Sequence, residues 1–263
     1  MVRGKKTMDI CLLSGRLLLR YGAETYRVED TMVRMAKAAG MNNVHSFVTT
    51  TGIFLSFKTE EDYDSMQMIR IKERYQDLGK VTEVNQLARE FTYGDITLDE
   101  TQERLKAIKD APMHYPLWFI YLASGIGGGA FSFLIGGSYF DMLPAFIGGT
   151  VTTITLVLIQ RVLKVKFFAE FAAALTGGIL ALIMVNGGFG TELNQVIIGS
   201  LIPLVPGVPL TNAVRDLMSG DLVAGVARGS EALVTSLSIA AGVALSLSIF
   251  ICSRAQGAGR RRT

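Results

Sequence analysis

A chain of 263 residues that is 49% hydrophobic and carries a net charge of +3 averages over two unlike halves. Residues 1–112 hold 17 of the 26 Lys/Arg and 17 of the 23 Asp/Glu, whereas nine basic and six acidic residues follow. The balanced first half lacks a nucleic-acid footprint, and the charge-poor second half argues for solvation by lipid, because an isolated charge is costly in hydrocarbon.

The N-terminal run MVRGKKTMDICLLSGR starts basic, but its short apolar stretch is broken by Ser14, Gly15 and Arg16, so no signal peptide is expected. From Thr7 to Ala39 apolar residues recur at helical intervals, and Gly22 divides the stretch into two helices. The second, from about Glu24 to Ala39, turns Val28, Met32 and Met35 or Ala36 inward and stops at Gly40. Its segment YGAETYRVEDT, with Glu24, Arg27, Glu29 and Asp30, reads as a solvated helix face with local ion pairs. VHSFVTTTGIFLSFK, β-branched and aromatic with Gly52 as punctuation, predicts two strands, and Met66 to Ile71 alternates imperfectly as a third. After Gly79, Val84, Leu87, Ala88 and Phe91 follow a helical period, and TLDE at 97–100 has the form of a capping box opening a last helix to Ala111. These elements make a small α+β domain. Cys11 and His45 are its possible reactive pair, although a thiol in an apolar helical stretch is ordinarily buried and inert. The two cysteines, Cys11 and Cys252, stand at opposite ends of the chain, which speaks against a disulfide and leaves no metal-type spacing.

Five segments are long enough to cross the bilayer: 117–135, 142–159, 171–189, 196–214 and 232–252. Loop charge alternates, with Arg161, Lys164 and Lys166 after the second and Arg215 and Arg228 before the fifth, which places the N-terminal domain in the cytosol. Five crossings put the C-terminus outside, against the basic tail of Arg254, Arg260, Arg261 and Arg262; the alternative is a segment that re-enters without crossing. Gly125 and Gly129 form a GxxxG spacing, and glycine pairs recur through the spans, which predicts close helix packing and, by extension, subunit association.

The unusual chemistry gathers in PLVPGVPLTNAVRDLMSGD, from Pro203 to Asp221. Pro203, Pro206, Gly207 and Pro209 should unwind the span, exposing backbone groups of the kind that transporters use to coordinate substrates. Thr211 and Asn212 add polar contacts beyond the break. Arg215 can take a carboxylate through two parallel hydrogen bonds, and Asp216 can accept from an ammonium group or carry a proton. The same two residues also fit the solvated end of a helix. Glu170, ahead of the third span, suits a transport role or an interfacial ion pair with Lys164 and Lys166.

In the runs LLLRYGAETYRVEDTMVRMAKAAG, TTTGIFLSF and PLVPGVPLTNAVRDLMSGD, taken in order, the chain resembles the threonine/serine exporter family, specifically the larger subunit of its two-component form. The resemblance implies a proton-driven exporter of small hydrophilic metabolites in a bacterial-type plasma or inner membrane, with threonine, serine or dicarboxylates such as succinate as substrates. It also implies an oligomer with a small integral membrane subunit of the same family, and no cofactor; no nucleotide-binding GxxxxGK[ST] run is present. Because single-chain members join this module to a second one, an odd number of spans would give an inverted repeat. The expected architecture is an α-helical polytopic membrane protein with one span broken by prolines and an N-terminal α+β cytosolic domain. Its expected divisions are residues 1–112, a transmembrane domain at 113–256 and a basic tail at 257–263. The rival readings are a membrane-anchored hydrolase, with catalysis at residues such as Cys11 and His45, and a non-transporting scaffold.

Overall fold

A computed structural model of the chain describes residues 2–59, 63–112 and 115–260. It divides into two compact units, Met1–His114 with Gly207–Ser230, and Tyr115–Pro206 with Glu231–Thr263.

The first unit is built on α1 (Val2–Arg20), α2 (Thr25–Ala38), a three-stranded antiparallel sheet of β1 (Asn42–Thr49), β2 (Gly52–Lys58) and β3 (Asp64–Arg70), then α3 (Leu78–Tyr93) and α4 (Leu98–Asp110). α1 is the central helix: Met8, Ile10, Cys11, Leu17, Leu18 and Leu19 are all buried, so it is covered by α2, α3, α4 and the sheet. β2 is the middle strand, and its period of two puts Ile53, Leu55 and Phe57 into that core. Gly22 and Gly40 end their helices with φ of 99° and 85°, a left-handed conformation that side chains rarely adopt. At the start of α4 the Thr97 hydroxyl accepts from the Glu100 N–H at 3.3 Å, whereas the Glu100 carboxylate faces Arg104 at 3.9 Å; only the threonine half of the expected capping box is formed. Buried Lys80 donates to the Ala111 carbonyl at 2.6 Å and to the Tyr21 hydroxyl at 3.3 Å, tying α3 to the ends of α1 and α4.

The second unit holds α5 (Leu117–Leu134), α6 (Tyr139–Leu163), α7 (Lys166–Asn186), α8 (Leu193–Leu201) with a 3-10 turn at Ile202–Leu204, and the later part of α10 (Leu222–Arg260). Four helices, α5, α6, α7 and α10, are long and apolar enough to cross a membrane; a fifth span results if Leu193–Leu204 and α9 (Gly207–Met218), bent at a two-residue break, count as one. The packing is inverted relative to a soluble core. Ala145, Ala169, Ala173, Ala174 and Ala181 are buried, while Trp118, Leu122, Leu158, Ile183 and Leu237 point outward. Small residues inside and large apolar residues outside are what lipid solvation requires. A multi-pass membrane protein follows.

The glycines make this packing possible. A Cβ on Gly128 of α5 would lie 2.8 Å from the carbonyl oxygens of Ala145 and Gly199, and one on Gly129 would lie 2.9 Å from that of Met142. The GxxxG face is therefore spent on α5 against α6 within the chain. Asp141 of α6 fixes the other end of α8: it accepts from the Thr191 and Glu192 N–H groups at 2.6 and 3.0 Å, and from the Ser138 N–H at 2.7 Å. One carboxylate thus satisfies orphan donors at the start of two helices. Of the expected basic tail, Arg261 and Arg262 lie outside the described residues.

Candidate functional site

Within the first unit, two segments far apart in sequence meet: the turn from Gly22 to Thr25 and the helical hairpin of α9 and the start of α10. The turn forms because α1 ends at a left-handed Gly22 and α2 begins at Thr25 behind an N-cap, Glu24, whose side chain makes no capping bond. Glutamate is not among the favoured cap residues, so the first N–H groups of α2 need an acceptor from elsewhere. Asp216 supplies it. Its carboxylate, fully buried, accepts from the Thr25 N–H and the Thr25 hydroxyl, both at 3.1 Å, and lies 3.0 Å from Nε of Arg228. Arg228 also donates to the Ala23 carbonyl at 2.9 Å, and Asn212 donates to the Gly22 carbonyl at 2.9 Å. A carboxylate at a helix N-terminus paired with a guanidinium is the favourable orientation for both charges.

Beside this buried cluster Arg215 Nη1 donates to Glu24 Oε1 at 2.5 Å, and Arg27 approaches the other oxygen of Glu24 at 3.4 Å. The Glu24 side chain is 9% exposed and that of Arg215 56%, so the pair sits at the edge of the cluster, with the guanidinium open to solvent on its remaining N–H groups. Burial raises the pKa of Glu24, but a backbone N–H bond and the two guanidiniums outweigh it and hold the carboxyl below its ordinary value. Glu29, one turn further along α2, is pushed the other way by burial and by Asp221 and Asp216, against a 2.6 Å bond from the Val48 N–H. Burial and Asp216 push Asp221 up as well.

The prolines stand where no helical hydrogen bond is lost. Pro203 is in the 3-10 turn, Pro206 in the extended link that follows, and Pro209 in the first turn of α9, which Gly207 opens. The Thr211 hydroxyl bonds back to the Gly207 carbonyl at 2.9 Å and stays outside the cluster. Pro203, Pro206 and Glu170 belong to the second unit. There, Glu170 is 5% exposed and its carboxylate lies beside the buried Thr235 hydroxyl. Lys166 instead pairs with Glu231 at 2.7 Å. Cys11 is sealed in the core, where burial pushes its thiol up to about 12, and His45 stands exposed on β1. Among the described residues no group of three His, Cys, Asp or Glu could hold a metal.

Compared with known proteins, residues 9–250 match the family described as "Putative threonine/serine exporter". The chain belongs to this family. Among its relatives is the "Probable succinate transporter subunit YjjP" of Escherichia coli, 28% identical over 92% of this chain and 93% of that one. It is also 24% identical to the "Probable threonine/serine exporter" of Mycobacterium tuberculosis and to the "Threonine/serine exporter" of Corynebacterium glutamicum, covering 92% of this chain but 46% and 51% of theirs. No solved structure matches.

Sequence reasoning placed Asn212, Arg215 and Asp216 in the candidate site and missed their partners. Glu24 and Thr25 fell in a segment read as a solvated face, yet they are 7% and 0% exposed. Arg228 was read only as a loop charge, and Asp141 not at all. The one usable signal was the poor N-cap at Glu24, which leaves α2 in want of an acceptor.

Proposed function

We propose that the chain is one subunit of a secondary exporter for small hydrophilic metabolites, either threonine/serine-type amino acids or C4-dicarboxylates such as succinate, driven by the proton gradient. The observation that carries this reading is the helix broken at Val205–Pro206 and followed at once by Asn212, Arg215 and Asp216, held in one cluster with Glu24 and Thr25. Arg215 is the group that reads a substrate carboxylate, which both substrate classes carry. It does so by exchanging Glu24 for the substrate, because its guanidinium keeps free N–H groups and an open side. Asp216 and Arg228, held to each other, to Thr25 and to the Ala23 carbonyl, are positioning residues. Glu170, a buried carboxylate beside the Thr235 hydroxyl in a membrane helix, is the proton carrier. The name of the Escherichia coli relative, a transporter subunit of about this length, supports a second, small membrane subunit as partner. In this reading the N-terminal domain lies in the cytosol of a bacterial-type cell.

The test is efflux of preloaded threonine, serine and succinate from cells lacking their own exporters, with this chain expressed alone and with a candidate small subunit. Efflux that needs both proteins and collapses with the proton gradient is expected. Absence of efflux for every solute, with both proteins in the membrane, would remove the exporter reading in favour of a scaffold.

A further inference from the structure

On the face of the first unit formed by α2 and α3 lies a cleft of about 440 Å³, within the size range of small-molecule sites. α2 contributes Arg27, Asp30 and Arg34, spaced along one face, and α3 contributes Asn85 and Arg89 from the opposite wall. Ala88, buried at the floor, leaves the room between them. Three guanidiniums therefore face one carboxylate. That carboxylate, Asp30, takes only Nε of Arg34 at 2.8 Å, so the terminal nitrogens of Arg34 remain open to the cleft. Arg89 has no hydrogen bond or ion pair among the described residues. The three arginines are solvent-exposed, and Arg89 keeps all its donors free to take an anion in the cleft.

We infer that this cleft is a cytosolic binding site for a small dianion, a phosphate or a dicarboxylate, gripped by Arg34 and Arg89 with Arg27 as a third donor. Planar guanidiniums bind both classes bidentately, and Asn85 can add a neutral donor. Arg27 links the cleft to the cluster described above. At 3.4 Å it shares Glu24 with Arg215, so an anion that draws Arg27 away leaves Glu24 to Arg215 alone. The site goes beyond the exporter reading and does not depend on it.

The experiment is calorimetric titration of the full-length chain in lipid nanodiscs with inorganic phosphate, and separately with succinate, at fixed ionic strength. We expect phosphate to bind the wild-type chain, Arg89→Ala to weaken it by about tenfold or more, and Arg89→Lys to weaken it less, since charge-assisted bonds to a forked donor are lost in the first case and only the fork in the second. Glu24→Gln should strengthen phosphate binding by releasing Arg27, and Arg215→Ala should weaken it slightly by leaving Glu24 to Arg27 alone. Succinate that competes with phosphate extends the site to dicarboxylates; succinate that fails to compete restricts it to phosphates. Absence of binding by either anion at millimolar concentration, or phosphate binding equal in wild type and Arg89→Ala, would overturn the inference. Export is not read in this titration, so its failure leaves the exporter proposal untouched.

Discussion

Asp216 gives α2 the acceptor that its own N-cap lacks, and this one contact explains why Thr25 and Arg228 are buried beside it. Removing it by Asp216→Ala takes away the only carboxylate shown within 4 Å of the buried Arg228 guanidinium among the described residues, and breaking a buried pair in this way costs about 3–5 kcal/mol. A large drop in the thermal midpoint of the purified chain is expected, with Asp216→Asn, which keeps an acceptor, falling less. Glu29 behaves in the opposite sense. Its pKa is raised in the folded chain, so ionisation destabilises the fold at neutral pH, and this penalty fades as pH falls through the raised value toward the ordinary ~4.3. Glu29→Gln should therefore raise the midpoint at pH 7, and the gain should vanish by about pH 4 in a midpoint-against-pH series. Apart from the poor N-cap at Glu24, the residues of the turn carried no sign of this. The local pairs expected there are present, Arg27 with Glu24 and Arg34 with Asp30, but burial of Glu24 and Thr25 comes from partners in α9 and α10, which no local spacing encodes.

At the scale of elements the sequence was more informative. The two helices divided at Gly22, the strands on either side of the turn before Gly52, and the helices after Gly79 and Thr97 lie where period and punctuation placed them, because those signals are local. The fourth apolar segment was harder. Its prolines announced a break, yet α8 with its 3-10 turn rises only roughly 18–20 Å, short of the ~30 Å of hydrocarbon, and α9 groups with the N-terminal unit. α9 is two-faced: Asn212, Ala213 and Asp216 are buried, and Leu210, Val214, Leu217 and Met218 are exposed. The expected fourth span is present as a bent pair of helices, which gives five spans if the pair counts as one and four if it does not. The glycines supply a sharper test of packing. Gly128→Val would drive a side chain into two backbone carbonyls, whereas Gly127 has open space around its Cβ position. Gly128→Val should lower the yield of folded protein in the membrane, overpacking of this kind costing about 1–3 kcal/mol or more, while Gly127→Val is tolerated. Equal yields would contradict the close approach of α5, α6 and α8.

For the whole molecule, an inverted distribution of small and large apolar residues, family membership and a broken helix beside a charged cluster converge on solute export. In that account Glu170 carries the proton, and Glu170→Gln should leave efflux possible down a substrate gradient but insensitive to an imposed pH gradient in proteoliposomes. Retained pH-gradient dependence would take the role from Glu170. The central claim is that Arg215 holds the substrate carboxylate in competition with Glu24. It is tested most directly by the half-saturating cytosolic substrate concentration for transport in inside-out vesicles bearing Glu24→Gln or Arg215→Ala. The two substitutions should act in opposite directions, Glu24→Gln lowering that concentration and Arg215→Ala raising it by about tenfold or more, as loss of a charge-assisted bond requires. Equal losses in both variants would mean that the pair is only a structural lock, and would contradict the account.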